Sequence, residues 1–578
     1  MAQQLFVPNT STNNVVTYQV TINGKVANPA YEMLSMLVTR EVNKVPAARL
    51  VFKDGDPSQS TFALSEADDF APGTPVAVNL GRDGTNTQTF KGIIVRHAIR
   101  VKENGQSELT VDCRDEAVRM TVGRHSKYYT QILDSDLLNT LVSAYPDLSC
   151  NMTATTFQHE ELVQHHLSDW DFMLLRAEAN GMLVNVKDGV VNIQTPATTA
   201  TPVLQVNFGS SILEFEAEMD VRNQWNNVEA RAWDYHNQVL FQADSSGNPA
   251  WTEPGNITAS QLAQAINLTN YEMHHSGYIQ DQELQSWADG LMLRSLLAKI
   301  CGRAKCTGFA GVNPGDLLTV TGVGARFNGN VFVTAVRQEV GNGMWDTHIQ
   351  FGLSPRRYAE LFQDIDDRAA AGLAGGIRGL QIGVAVQLQG DPQGQGRIMV
   401  KVPTIDNTSQ GIWTRIAALD AGSNRGSFFL PEVNDEVIIG FINDDPSQAV
   451  MLGMLNSSAK PAKLPNTTAN NTKGFTSRSG MQILFDDGEK SVTIITPGNN
   501  QIILDDTQQN ISIKDQNGNS ITMDSTGISL SSSSGQVSVT AGTSMSLTAT
   551  TDLSASGATA SLTGQTSASI TATTVSIN

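Results

Sequence analysis

The stretch HEELVQHH, residues 159–166, packs three histidines and two glutamates into eight positions, a density that invites a zinc site. A helical HExxH site places its second histidine four residues after the first, so that both imidazoles share one face. Val163 stands at that position, so the spacing fails and predicts surface or packing histidines. Cys301 and Cys306 are farther apart than a CxxC pair and no second pair accompanies them, so packing near a helix end is expected. Three acidic doublets, Asp444-Asp445, Asp486-Asp487 and Asp505-Asp506, fall among turn-forming residues. A catalytic carboxylate pair needs burial to separate its two pKa values, whereas turn acids are solvated. No GxSxG elbow, phosphate loop or dinucleotide fingerprint is visible. The expectation is no catalytic residue, no metal ligand and no cofactor.

The elements that would position such groups belong to a chain of 578 residues, long enough for several domains. A formal charge of −19 leaves no excess of Lys and Arg to neutralise phosphates, which argues against nucleic acid and anionic membrane. Four cysteines fit a reducing compartment. The first basic residue is Lys25 and the early apolar run LFV is too short for a signal peptide. Synthesis in the cytoplasm is therefore expected, with any export proceeding without a signal peptide or membrane anchor.

The last hundred residues repeat one unit: apolar, small or polar, apolar, then a polar turn. It occurs at Val492-x-Ile494, Ile502-x-Leu504, Ile511-x-Ile513, Ile521-x-Met523 and Ile528-x-Leu530. It continues at Val537-x-Val539, Met545-x-Leu547, Leu553-x-Ala555, Ala560-x-Leu562, Ala568-x-Ile570 and Val575-x-Ile577. Steps of 7 to 10 residues and an alternation of period two mean short strands with one apolar face. A disordered low-complexity linker has no reason to place an aliphatic pair so regularly. Two inward side chains per strand enclose nothing alone, but three copies around a common axis enclose a dry prism. Burial of each large aliphatic contributes ~1.5–3 kcal/mol, and eleven layers at ~4.8 Å give a needle roughly 50 Å long. The expected axis residues are Ile513, Met523, Leu530, Val539, Leu547, Ile570 and Ile577.

Upstream, 380–456 holds five or six short strands between Gly, Pro, Asp and Asn turns, which suits a small barrel of the OB type. Its turns are acidic or neutral, so a structural use is expected over oligonucleotide binding. Residues 1–125 read as strands, and helical signals follow. SDWDFMLLRAEANG offers Ser168 as an N-cap and Gly181 as a stop. Further helices are expected in SDLLNTLVSAY and DQELQSWADGLMLRSLLAKIC, and an acidic, Ala/Gly-rich connector at 356–379.

EVNKVPAARLVFKDGD (41–56), FKGIIVRHAIRVKENG (90–105), SDWDFMLLRAEANGMLV (168–184) and FFLPEVNDEVIIGFINDDPSQAVMLGML (428–455) occur in this order ahead of the repeat. In that order they resemble the VgrG spike family of type VI secretion systems, its relatives in extracellular contractile injection particles, and the hub-spike proteins of contractile phage tails. The resemblance implies a mainly β chain: a hub of β-barrel-like domains with α/β insertions, an OB-fold, and a C-terminal trimeric intertwined β-prism. The expected boundaries are a hub β domain at 1–125, an α/β insertion at 126–215 and a second hub β domain with helix at 216–355. The connector at 356–379, the OB-fold at 380–456, a linker at 457–472 and the needle at 473–578 complete the chain.

The family's hub adapts a sixfold tube to a threefold spike, which implies a homotrimer meeting the tube protein and baseplate components and carrying effector cargo. A PAAR-repeat tip protein commonly caps such needles, and Val575, Ser576, Ile577 and Asn578 are the residues that would meet it. All nine histidines lie at or before 348, so no tip metal borne by this chain is expected. The function implied is a puncturing spike, touching membrane only in passing. Two other classes stay in view: a peptidoglycan-degrading spike enzyme, which a murein zymogram would reveal, and a surface adhesin with a β-helical stalk, which would need a signal peptide or anchor.

Overall fold

The computed structural model describes residues 5–8, 14–103, 106–247 and 250–577, in two compact units divided between Gly375 and Gly376. The front unit is built on a thirteen-stranded sheet. Its strands alternate as their sequences dictate: in Ala47–Lys53 the side chains of Ala48, Leu50 and Phe52 go inward, opposite Cys113, Val111 and Leu109 of Ser107–Arg114. Strands of 1–125 share this sheet with several of 216–355, while Asn227–Asp234, Val239–Asp244 and Asn270–His275 form a three-stranded sheet of their own. Gly329–Gly341 pairs on one side with Met344–Phe351 and on the other with Met33–Glu41, placing Arg337 opposite Thr39. Two distinct cores nevertheless form on it, one around Phe52, Phe90 and Val111 and one around Val331, Val333 and Ile349.

Two of the helices stand where capping signals are. Helix α1 (Asp134–Ser143) precedes α2 (Asp169–Ala179), whose Ser168 hydroxyl accepts the Asp171 N–H at 3.0 Å. Gly181 follows α2 at φ +64°, a left-handed stop that glycine adopts without cost. Helix α3 (Ala259–Ala265) has a Thr258–Gln261 capping box, and α4 (Asp281–Leu297) is the longest helix. Gly290 within α4 looks unfavourable on propensity alone. A Cβ there would stand 2.8 Å from the Gly181 Cα, so the two backbones meet at a point only glycines permit.

Residues 356–368, expected as connector, are docked. Tyr358 and Ile365 are buried in the core of the α/β region, and the Tyr358 hydroxyl donates to Asp171 at 2.8 Å. Arg124 donates to the backbone carbonyls of His166, Asp364 and Ile365 at 2.8, 2.9 and 2.5 Å.

The second unit begins with a closed five-stranded barrel, Gln381–Gln387, Ile398–Lys401, Ile412–Ile416, Ala449–Met454 and Glu436–Phe441. Its interior is filled by Ile398, Val400, Val437, Ile439 and Met451. After it comes a seven-stranded sheet, Thr472–Thr476 to Gly527–Ser531, in which each five-residue strand pairs antiparallel with the next. Among the described residues none of 532–577 joins a strand ladder. The repeat units from Val537 onward therefore run without backbone partners in this chain, whereas those from Val492 to Leu530 are laddered.

Candidate functional site

The seven-stranded sheet has one face made almost wholly of large apolar side chains. Cross-strand register stacks Phe475, Ile483, Ile494, Ile502, Ile513, Ile521 and Leu530 in one column. Phe485, Val492, Leu504, Ile511, Met523 and Ile528 form a second column beside it. Seven strands at ~4.8 Å make the longer column roughly 29 Å. The opposite face carries Leu484, Thr493, Ile503, Ser512, Thr522 and Ser529 at its centre, a mixed column against two apolar ones. Apart from Val492, every member of both columns is at least 36% exposed, so nothing in this chain covers the face.

Turn chemistry fixes this register. Asn499 adopts φ 65° and Gly518 φ 89° between successive strands. Asp486 accepts the N–H groups of Gly488 and Glu489 at 2.9 and 3.1 Å and Asp505 that of Gln508 at 2.7 Å; in a turn of the barrel, Asp445 likewise accepts the N–H and hydroxyl of Ser447 at 2.8 and 2.6 Å. The Glu489 N–H first of all holds the Asp486 carboxyl below its ordinary range, and the Ser447 hydroxyl does so for Asp445. These two groups are the reverse of general acids, which need a raised pKa.

The expected axis residues divide in two. Ile513 and Leu530 lie in the first column and Met523 in the second, all on one face. Val539, Leu547, Ile570 and Ile577 lie in the segment without a ladder and are exposed. Of the expected tip residues, Val575, Ser576 and Ile577 are exposed there too, and Asn578 lies outside the described residues. Ahead of the first repeat unit, Gln482–Asp486 carries the same pattern at Ile483-x-Phe485, and Thr472–Thr476 adds Phe475 beside Lys473 on that face.

The chemistry-bearing residues of the front unit take structural places. His159 is buried, with Nε2 2.9 Å from Asp134 Oδ2. Arg176 grips the same carboxylate through Nε and Nη2 at 2.7 and 2.8 Å, reaches Glu283 of α4 at 2.9 Å, and Asn180 donates to Asp134 at 2.9 Å. Burial alone would push Asp134 up, but the bonds from Arg176, His159 and Asn180 outweigh it and hold the carboxyl well below its usual range. Cys301 and Cys306 share the strand Ile300–Thr307 at an odd spacing, which sends them to opposite faces. Burial pushes the thiols up to about 11 and about 12. Cys301 Sγ lies 3.5 Å from the Ala298 carbonyl at the end of α4. Among the described residues no group of three His, Cys, Asp or Glu side chains could hold a metal, and no helix is long and apolar enough to cross a membrane.

A mainly β chain in which a closed five-stranded barrel leads into a ladder of short strands has the layout of a VgrG-type spike protein. Residues 12–342 match the family described as Alg8 N-terminal domain, and because that match spans more than half of the sequence the chain belongs to this family. Residues 381–455 match the type VI secretion system/phage-baseplate injector OB domain. The chain is similar to the type VI secretion system spike protein VgrG1b of Pseudomonas aeruginosa, 25% identical over 40% of this chain and 33% of that protein. It is also similar to the spike protein VgrG3 of Vibrio cholerae, 30% identical over 18% of this chain and 12% of that one. The matches to curated relatives span only 12% to 33% of the relatives' own lengths. Among solved structures, a tail protein from Neisseria meningitidis aligns over 58% of this chain and 96% of its own at 15% identity, with a TM-score of 0.43.

Proposed function

We propose that this chain is the spike and hub of a contractile injection system and works as a homotrimer whose three apolar sheet faces meet along a common axis. The observation that carries this reading is the uncovered face formed by the Phe475–Leu530 and Phe485–Ile528 columns. A monomer that keeps a dozen large apolar side chains in water on one flat face carries a surface typical of interfaces. The segment 532–577 joins no ladder within one chain, among the described residues. Three chains winding together give both the columns and that segment partners. The energy of puncture would come from contraction of a surrounding sheath, with this protein supplying rigidity.

Further parts of the reading follow from the same axis. Val575, Ser576 and Ile577 would present the end of the prism to a PAAR-type tip protein, and the front unit would meet tube and baseplate components. Assembly in the bacterial cytoplasm and export as part of the particle complete the proposal, with effector cargo travelling on the spike or its tip. The role is structural. The VgrG relatives are named as spike proteins, which supports a structural part over a peptidoglycan hydrolase.

The native mass of the purified full chain tests the core of this reading. A particle of three times 62.1 kDa that resists detergent supports it, and a stable monomer of 62.1 kDa overturns it. Clearing of murein in a zymogram by the same material would replace the structural role with an enzymatic one.

A further inference from the structure

The backbone is strained where the front unit ends. Ala370 and Ala371 stand at φ 54° and 50° and Gly372 at φ 75°, three left-handed residues in a row. This conformation crowds the Cβ of an L-residue against the following carbonyl oxygen. Glycine escapes the crowding, and Asn or Asp offsets it through hydrogen bonds from a short polar side chain. Among the described residues, every other non-glycine residue at positive φ carries a polar side chain, most often Asn or Asp. The two alanines carry none, so nothing local favours the conformation they hold.

Such strain persists only where surrounding contacts outweigh it. Here those contacts belong to the docked strap just upstream, and its hold is narrow. Tyr358 and Ile365 are buried, while every residue between those two is exposed. The Tyr358 N–H donates to Glu178 at 2.9 Å, and Arg124 holds the Asp364 and Ile365 carbonyls at 2.9 and 2.5 Å. Ala370 is 2% exposed, which pins the strained turn to the same surface. Residues 371–376 are exposed throughout, and the Ile377 N–H then donates to the Asp444 carbonyl of the second unit at 2.8 Å. Upstream, the buried Arg294 holds the Ser354 and Arg356 carbonyls at 3.0 and 3.1 Å.

We infer that residues 357–372 form a latch loaded by its own backbone. Docked, it leaves only 371–376 as free chain between the two units. Released, it lets the alanines relax and frees the chain from Arg357 onward, with Arg294 setting where the release stops. Each freed residue adds up to ~3.5 Å of reach. A pull on the second unit therefore draws out the strap before it loads the sheet cores. The inference stands apart from the homotrimer reading, because every residue in it belongs to one chain.

Hydrogen exchange in the full chain tests the latch. The reporters are two hydrogen-bonded amides, Phe362, which donates to the Tyr358 carbonyl, and Leu373, which donates to that of Ala370. Both should exchange through one local opening, faster than the strand Ser107–Arg114. Ala370→Gly with Ala371→Gly removes the strain and is expected to slow exchange at Phe362 at least fivefold, although both substitutions lie downstream of it. Arg124→Ala is expected to quicken exchange at Phe362 at least fivefold and leave the strand unchanged. Unchanged or faster exchange at Phe362 in the double glycine variant overturns the latch, since the alanines then store nothing that the strap feels. Strand and strap quickening together in Arg124→Ala also overturns it, since the strap then opens only with the whole unit.

Discussion

The front unit and the needle region solve the problem of an interior in opposite ways. The front unit buries Phe52, Phe90, Val111 and Ile349 almost completely within one chain, and a charge it buries, Asp134, has every near neighbour it needs. The seven-stranded sheet has the same strand chemistry and complete ladders, yet its largest side chains face solvent. The difference is one of thickness. A wide sheet with helices and crossing strands can cover its own face, whereas a ribbon of five-residue strands has nothing to fold back. Stability in the first case belongs to the chain, and in the second, on the proposed trimer, it would belong to the number of chains that meet.

The strongest way to break this comparison is to charge the uncovered face. Replacing Ile502, Ile513 and Ile521 together by Asp should abolish the threefold mass, since each buried aliphatic contributes about 1.5–3 kcal/mol and three chains lose three each. The front unit should keep its own melting transition, readable by calorimetry on the same sample. If the mass survives, the columns are not the interface.

The converse variant, Asp134→Ala, leaves Arg176 buried with its main partner gone and should cost the front unit about 3–5 kcal/mol. Denaturant melts should show that transition move while the trimer mass stays. A smaller effect is expected from acid. The folded values of Asp134 and Asp391 lie below those of the unfolded chain, Asp391 held chiefly by the Arg397 side chain. Their stabilisation is therefore present above the unfolded value near ~3.9 and is lost as pH falls toward the folded ones. Melting from pH 7 down to about 3 should weaken the front unit and barrel more than the needle, where the lowered carboxyls, Asp486, Asp515 and Asp524, lie in exposed turns. The smallest effect sharpens the contrast between the two faces of the ribbon: Ser529→Ala should change trimer stability by no more than about 0.5 kcal/mol in the same melts.

Much of this was legible because it is local. Ser168 and Gly181 mark the ends of α2 by their own chemistry, and the alternation of Ile502-x-Leu504 announces a strand with two faces. The barrel was legible from short strands between turn residues. What stayed hidden depends on who pairs with whom. Nothing in Met33–Glu41 names Gly329–Gly341, nearly three hundred positions away, as its neighbour. The docking of 356–368 was hidden for another reason: Arg124 binds backbone carbonyls, which carry no side-chain signature.

In the proposed trimer, the abrupt end of in-chain pairing at Ser531 would bear on how three chains find a common stagger. Beyond that point the repeats are short, small and nearly alike, so sliding one strand past another by a whole unit would change the pairing energy little. The isoleucine-rich layers before it differ from one another in side chain and turn, and they leave the ribosome first. Once those layers lock, the monotonous segment has only one alignment left to adopt, much as the first teeth of a zip decide the fate of the rest.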